Sequence, residues 1–196
     1  MATVTATTGT DNFTGTGNTT SSADTIIFSN QNQVQANDTY NGGAGTDTVR
    51  LDASIDFQIA GTSGINTGFR NIEALAFTGA YTATFRSDQF GAGLLSNSLA
   101  ITGTTGVQTI IINLSTTTPT VNMVGWTFTN WSGGTDIIRV NGSTADDVIY
   151  VSSQHTVFDG GAGSDTIDYA NWSGGFTLTL NGSSWVNATW TSGLYD

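Results

Sequence analysis

Two stretches of the chain place glycine and carboxylate in the same order. They are Asn41-Gly42-Gly43-Ala44-Gly45-Thr46-Asp47-Thr48-Val49 and Asp159-Gly160-Gly161-Ala162-Gly163-Ser164-Asp165-Thr166-Ile167. Both read G-G-x-G-x-D-x-U-x, with U apolar. Glycine lacks a Cβ, so the backbone can turn tightly and aim carbonyls inward, and the Asp adds a carboxylate. Carbonyl and carboxylate oxygens suit a hard cation, Ca2+ above all. The apolar residue two places after the Asp, Val49 or Ile167, then starts a short strand facing a core.

The C-terminal copy sits in a register. Asp147, Thr156 and Asp165 are spaced nine and nine, and Ile149, Phe158 and Ile167 follow each at the second position. The turn from Gly142 to Asp147 lies eighteen residues before the turn from Gly160 to Asp165, with Ser143 and Ala145 in glycine positions. This pair is the first expected calcium site. Asp147 and Asp165 are its carboxylate ligands, while Gly160, Gly161 and Gly163 shape the turn and offer carbonyls. Asp47 with Gly42, Gly43 and Gly45 is the second, and Asp38 and Asp159 follow as further candidates. Asp11-Asn12-Phe13 and Asp24-Thr25-Ile26 echo the Asp-x-apolar step at irregular spacing, so loops are inserted and the turn that partners Asp47 stays open.

Other chemistry finds little support. His155 is the lone histidine, and the chain has no Cys and no Lys to serve as nucleophile or amine base. No Gly-x-Ser-x-Gly elbow, zinc pattern or phosphate loop occurs, and the adjacent Asp146 and Asp147 are better explained by their register in a turn than as an acid–base pair. The expectation is a protein that is not an enzyme. Aromatic residues carry a second hypothesis, in which Trp131 and Trp172 stack against sugar rings; the structural alternative is that such rings close the ends of the fold. Thr-x-Thr steps at 3–5, 82–84 and 177–179 raise ice binding, but they are scattered along the chain.

These residues must be positioned by strands. Of 196 residues, 25 are Gly and one is Pro; 14 of the 15 acidic residues are Asp, and Glu73 is the exception. Helix formers on exposed faces are replaced by strand and turn residues, which predicts an all-β chain. A net charge of −11 with four Arg leaves almost nothing to neutralise phosphates, so nucleic acid is excluded as a partner. No apolar run has the length of a membrane helix, so membrane insertion is not expected. Short apolar runs at Ile72–Phe77, Leu99–Ile101, Thr109–Ile112 and Trp126–Phe128 predict strands, with a short helical or irregular excursion over Ser87–Gly93. Recurring strands fit either stacked rungs or an antiparallel sandwich, and the coil-type repeats on both flanks favour rungs. The organisation reads as an N-terminal repeat region over 1–52, β-helix-like rungs over 53–132, and a C-terminal roll with a Trp-rich cap over 133–196, all in one continuous solenoid.

The chain resembles RTX, or haemolysin-type calcium-binding, proteins, and especially their surface-layer and adhesin segments. The resemblance rests on residues 8–16, on 42–49 and on Asn71-Ile72-Glu73-Ala74-Leu75, with only two repeats complete. It implies a right-handed parallel β-helix or β-roll in which one coil takes two nonapeptides. Turns eighteen residues apart then stack, and carbonyls of one share an ion with a carboxylate of the other. It further implies a bacterial protein secreted by one-step (type I) export and completed by Ca2+ outside the cell, with a structural or adhesive task at the surface. Its partners are then calcium and cell-surface polysaccharide or other copies of itself. The alternatives are a calcium-dependent carbohydrate-binding module, or an accessory RTX module of a secreted polysaccharide-modifying enzyme.

Overall fold

The computed structural model describes residues 2–15, 22–58 and 68–169. Within them the chain winds as a parallel β-solenoid with four sheets. The largest has six strands, Thr3–Thr5, Thr25–Phe28, Thr48–Leu51, Ile72–Phe77, Leu95–Thr102 and Thr127–Thr129. A second stacks Ile55–Asp56, Thr82–Arg86, Thr109–Asn113, Ile137–Asn141 and Thr156–Asp159. Two three-stranded sheets complete the walls: Asn12–Thr14, Thr39–Asn41 and Phe69–Arg70, and Thr120–Asn122, Val148–Tyr150 and Thr166–Asp168. Every pairing between these strands is parallel, which rules out the antiparallel sandwich.

Alternation of side chains decides which face closes. In Thr48–Leu51 the apolar Val49 and Leu51 are buried while Thr48 and Arg50 face outward. Parallel register then stacks like on like: Val4, Ile26, Val49, Leu75, Ile101 and Phe128 form one inward column across six coils. Phe85, Ile112, Val140 and Phe158 form another on the second sheet. Between the sheets, Phe28 meets Tyr40 and Phe57 edge-on, with ring centroids 5.1 and 4.9 Å apart, and Phe57 stacks on Phe85 at 5.1 Å. The expected strands at 72–77, 99–101 and 109–112 are present, the one expected at 126–128 lies at Thr127–Thr129 with Trp126 outside it, and Ser87–Gln89 is a short 3-10 turn. The Thr-x-Thr steps at 3–5 and 82–84 fall on different sheets, and 177–179 lies outside the described residues.

Coil length varies along the stack. Equivalent positions are 23 residues apart between Asp24 and Asp47, 26 between Asp47 and Glu73, and 28 between Gln108 and Asp136. At the C-terminal end the separation falls to 18, between Asp147 and Asp165. The large sheet runs through the boundary at 52/53 and the second sheet through that at 132/133, so the stack is continuous across both.

Candidate cation-binding turns

Each coil must end its turn with backbone amides near a wall, and short polar side chains satisfy them. The Asp before a strand acts twice. One oxygen accepts the N–H of the equivalent residue in the preceding coil: Asp38 from Asp11 at 2.8 Å, Asp47 from Asp24 at 2.7 Å, Asp136 from Gln108 at 2.8 Å and Asp165 from Asp147 at 3.1 Å. The other oxygen accepts an N–H from the residue's own turn, three or four places earlier. Thr7 donates to Asp11 at 2.7 Å, Gln35 to Asp38 at 2.6 Å, Ser132 to Asp136 at 2.5 Å and Ser143 to Asp147 at 2.6 Å. Where the neighbouring coil presents a carbonyl instead, glutamine takes the place. Gln33 Nε2 donates to Ala6 O at 2.6 Å, and Gln89 Nε2 to Phe57 O at 2.8 Å. These staples satisfy backbone groups that would otherwise be buried unpaired.

The two complete nonapeptides break this rule. In each, the amide four places before the Asp belongs to a glycine at positive φ, Gly43 at 90° and Gly161 at 78°. That amide donates instead to the side chain two residues before it, Gly43 to Asn41 Oδ1 at 3.1 Å and Gly161 to Asp159 Oδ1 at 3.2 Å. The second carboxylate oxygen is thereby released. Asp47 Oδ2 is buried with no hydrogen-bond partner. Among the described residues Asp165 Oδ2 likewise accepts no hydrogen bond, its carboxylate being held only through Oδ1 by the Asp147 amide.

Close packing, between coils at Gly163 and within the turn at Gly160, explains the other glycines. A Cβ on Gly163 would lie 2.4 Å from the carbonyl oxygen of Ala145, and one on Gly160 would lie 2.2 Å from Asp165 Oδ2. The turns 142–147 and 160–165 do stack: Ala162 N–H donates to Ser143 O at 3.1 Å, and Ser164 N–H to Asp146 Oδ1 at 2.7 Å. Four carboxylates gather there. Burial pushes the Asp165 carboxyl above its ordinary range, and the charges of Asp147, Asp146 and Asp159 add to the rise, against a lowering hydrogen bond from the Asp147 amide. Burial also raises Asp47, which has Asp24 beside it and is likewise held down in part by a backbone hydrogen bond.

The sequence-derived ligands thus divide. Asp165 and Asp47 carry free oxygens. Asp147 does not, because Ser143 supplies both its amide, to Oδ2 at 2.6 Å, and its hydroxyl, to Oδ1 at 3.0 Å. Asp38 is engaged by the Asp11 and Gln35 amides and by the Tyr40 hydroxyl at 3.1 Å. Burial and those nearby acids, Asp38 and Asp11, hold the Tyr40 phenol above its usual range. Asp159 lies exposed at the rim and orders Gly161. Trp131 is half-buried, its ring tilted against Phe77 at 6.0 Å and Phe128 at 5.5 Å; Trp172 lies outside the described residues. Asp136, Gln108 and Glu73 also take part in the staples. For Gln108 and Asp136 the signal in the sequence is the polar-x-apolar step alone, as in Gln108-Thr109-Ile110 and Asp136-Ile137-Ile138, whereas Glu73 lies in the Asn71-Ile72-Glu73 step on which part of the resemblance rests.

The donor set fits a hard, oxygen-seeking ion: free carboxylate oxygens, more carboxylates within interaction range, and glycine-lined carbonyls. Among the described residues no three acidic or imidazole side chains converge as a ready-made cage, so backbone carbonyls or water would complete the coordination. No family model, no curated protein and no solved structure matches this chain. Among the described residues, no helix is long and apolar enough to cross a membrane.

Proposed function

We propose that this chain is a non-catalytic, calcium-stabilised solenoid module, exported by bacteria and used as a structural or adhesive element at the cell surface. One observation carries the reading: the complete nonapeptides are the turns that free a carboxylate oxygen from backbone duty, at Asp165 and at Asp47. A turn built only to close a coil would use both oxygens, as those of Asp136 and Asp147 do. Bound there, Ca2+ would supply the positive charge that Asp165 and its neighbours Asp146, Asp147 and Asp159 lack. Asp165 Oδ2 would hold it, Asp146 and Asp159 would add charge at the rim, and Asp147 would keep the lower turn closed through Ser143. Without the ion the net charge of −11 favours an expanded chain, which suits passage out of a calcium-poor cytoplasm. Contacts with polysaccharide or with other copies of the chain then serve the surface role.

A calcium titration followed by circular dichroism and calorimetry tests the core of this. An increase in ordered β signal and in melting temperature with calcium, reversed by chelator, is expected. Equal melting in saturating calcium and in chelator would sink it. Binding to surface polysaccharides, measured with and without calcium, then separates an adhesive module from a scaffold.

A further inference from the structure

Two asparagines stand directly before glycine at equivalent places, Asn41-Gly42 and Asn141-Gly142, each closing a strand just ahead of a turn that ends in Asp. A third such step, Asn181-Gly182, lies outside the described residues. Asparagine before glycine readily loses its side-chain amide, because no Cβ hinders attack of the glycine nitrogen on the asparagine Cγ. The N–Cγ bond forms as the glycine N–H gives up its proton, and Nδ2 leaves as ammonia. Water then opens the imide ring at either carbonyl, which yields Asp or its iso form with one more carbon in the backbone.

The stack denies this reaction its nucleophile. Gly42 N–H donates to Arg70 O at 2.9 Å, and Gly142 N–H to Asp159 O at 2.6 Å, each on the next coil. Neighbouring coils also hold the side chains: Asn71 Nδ2 donates to Asn41 Oδ1 at 2.8 Å, and Asn141 Nδ2 to Asn113 Oδ1 at 2.7 Å. Space for a ring is filled, since a Cβ on Gly42 would lie 2.4 Å from Asn71 O and one on Gly142 2.1 Å from Gly160 O. The two products differ. Asn41 engages its neighbours through Oδ1, which accepts from the Gly43 amide and from Asn71, and Asp keeps both contacts. Asp159 already fills the same place before Gly160 and accepts from Gly161. Asn141 instead donates to Asn113, and a carboxylate there would set oxygen against oxygen.

We propose that Asn41 and Asn141 are sites of self-modification, deamidating while the chain is uncoiled and shut off once the coils stack. Conversion to Asp at 41 gives the first turn the D-G-G-x-G-x-D order of the second. Conversion at 141 breaks a contact between coils. The inference goes beyond a surface role and rests on the calcium reading only in taking the chelated chain as uncoiled.

The test ages the full chain at neutral pH in calcium, in chelator and in urea, and peptide mapping by mass spectrometry follows the amide-to-acid mass gain at each asparagine. In urea both sites should convert well ahead of Asn71 and Asn113, which Ile72 and Leu114 follow. In calcium their rates should fall at least about tenfold, because only the open fraction reacts. Equal rates at Asn41 and Asn141 in urea and in calcium overturn the inference. Protection in chelator equal to that in calcium, with conversion in urea, leaves the inference standing and removes the calcium reading instead. In calcium, N41D should melt with the parent or above it, and N141D below it. An N141D protein that melts with the parent overturns the assignment of the second product.

Discussion

Asparagine at position 165 should raise stability in one medium and lower it in another. The substitution keeps Oδ1 as acceptor for the Asp147 amide and replaces an oxygen that accepts no hydrogen bond. In chelator it removes a charge that is 4 % exposed and opposed by Asp147, Asp146 and Asp159. Relieving an unsatisfied buried charge is worth about 1 kcal/mol or more. At about 2–4 °C per kcal/mol for a chain of this size, Tm should rise by a few degrees. In calcium at about 100 times Kd, a site contributes about 2.7 kcal/mol to the parent, or about 5–11 °C, and the variant loses that gain. The two melting curves therefore change order between the media. D147N is the control, because it disrupts the contact with the Ser143 amide at 2.6 Å. A charge-assisted bond of that kind is worth about 1.5–3 kcal/mol, so D147N should melt lower already in chelator. Scanning calorimetry in both media reads all three proteins. The reasoning fails if D165N is as destabilised as D147N in chelator, or if it gains as much from calcium as the parent.

Two further outcomes follow from the same geometry. Gly163→Ala forces a side chain at φ 125° to within 2.4 Å of Ala145 O and should cost about 1–3 kcal/mol in urea titration, whereas Gly134→Ala, with nothing within 4 Å, should cost far less. In chelator, the raised Asp165, Asp47 and Glu73 carboxyls bind protons more tightly folded than unfolded. They therefore add stability at low pH and lose it as pH rises through their folded values. Tm of the chelated protein should accordingly climb as pH falls from neutrality towards the ordinary carboxylate range, and calcium should reverse that slope by competing with protons. Asp52, held below its ordinary range chiefly by a hydrogen bond from Arg50, works in the opposite sense and only at more acidic pH.

Much of this could be read before any coordinates. The step from Asp147 to Asp165 is short and free of insertions, so the partner turns at the C-terminal end were legible from spacing alone. Val49, Leu75 and Ile101 announced strands through alternation, and parallel stacking made them one column. The roles of individual carboxylates were not legible. Asp147 and Asp165 look alike in the nonapeptide frame, yet Ser143 in a glycine position closes the first, while Gly161 turns its amide away from the second. Asp136 was missed because its turn, Gly133-Gly134-Thr135-Asp136, lacks the full motif, although it performs the same staple.

Local chemistry, carried by glycine, Asp and alternating apolar residues, is enough to dictate that this chain forms tight turns and parallel-stacking strands. Which oxygen stays free is settled within the turn, but which acid meets which amide depends on backbone donors 18 to 28 residues away. Coil length sets those pairings, and inserted loops change coil length without changing any motif. Glu73 beneath the amide of Asp47 is therefore a product of the stack and of nothing shorter.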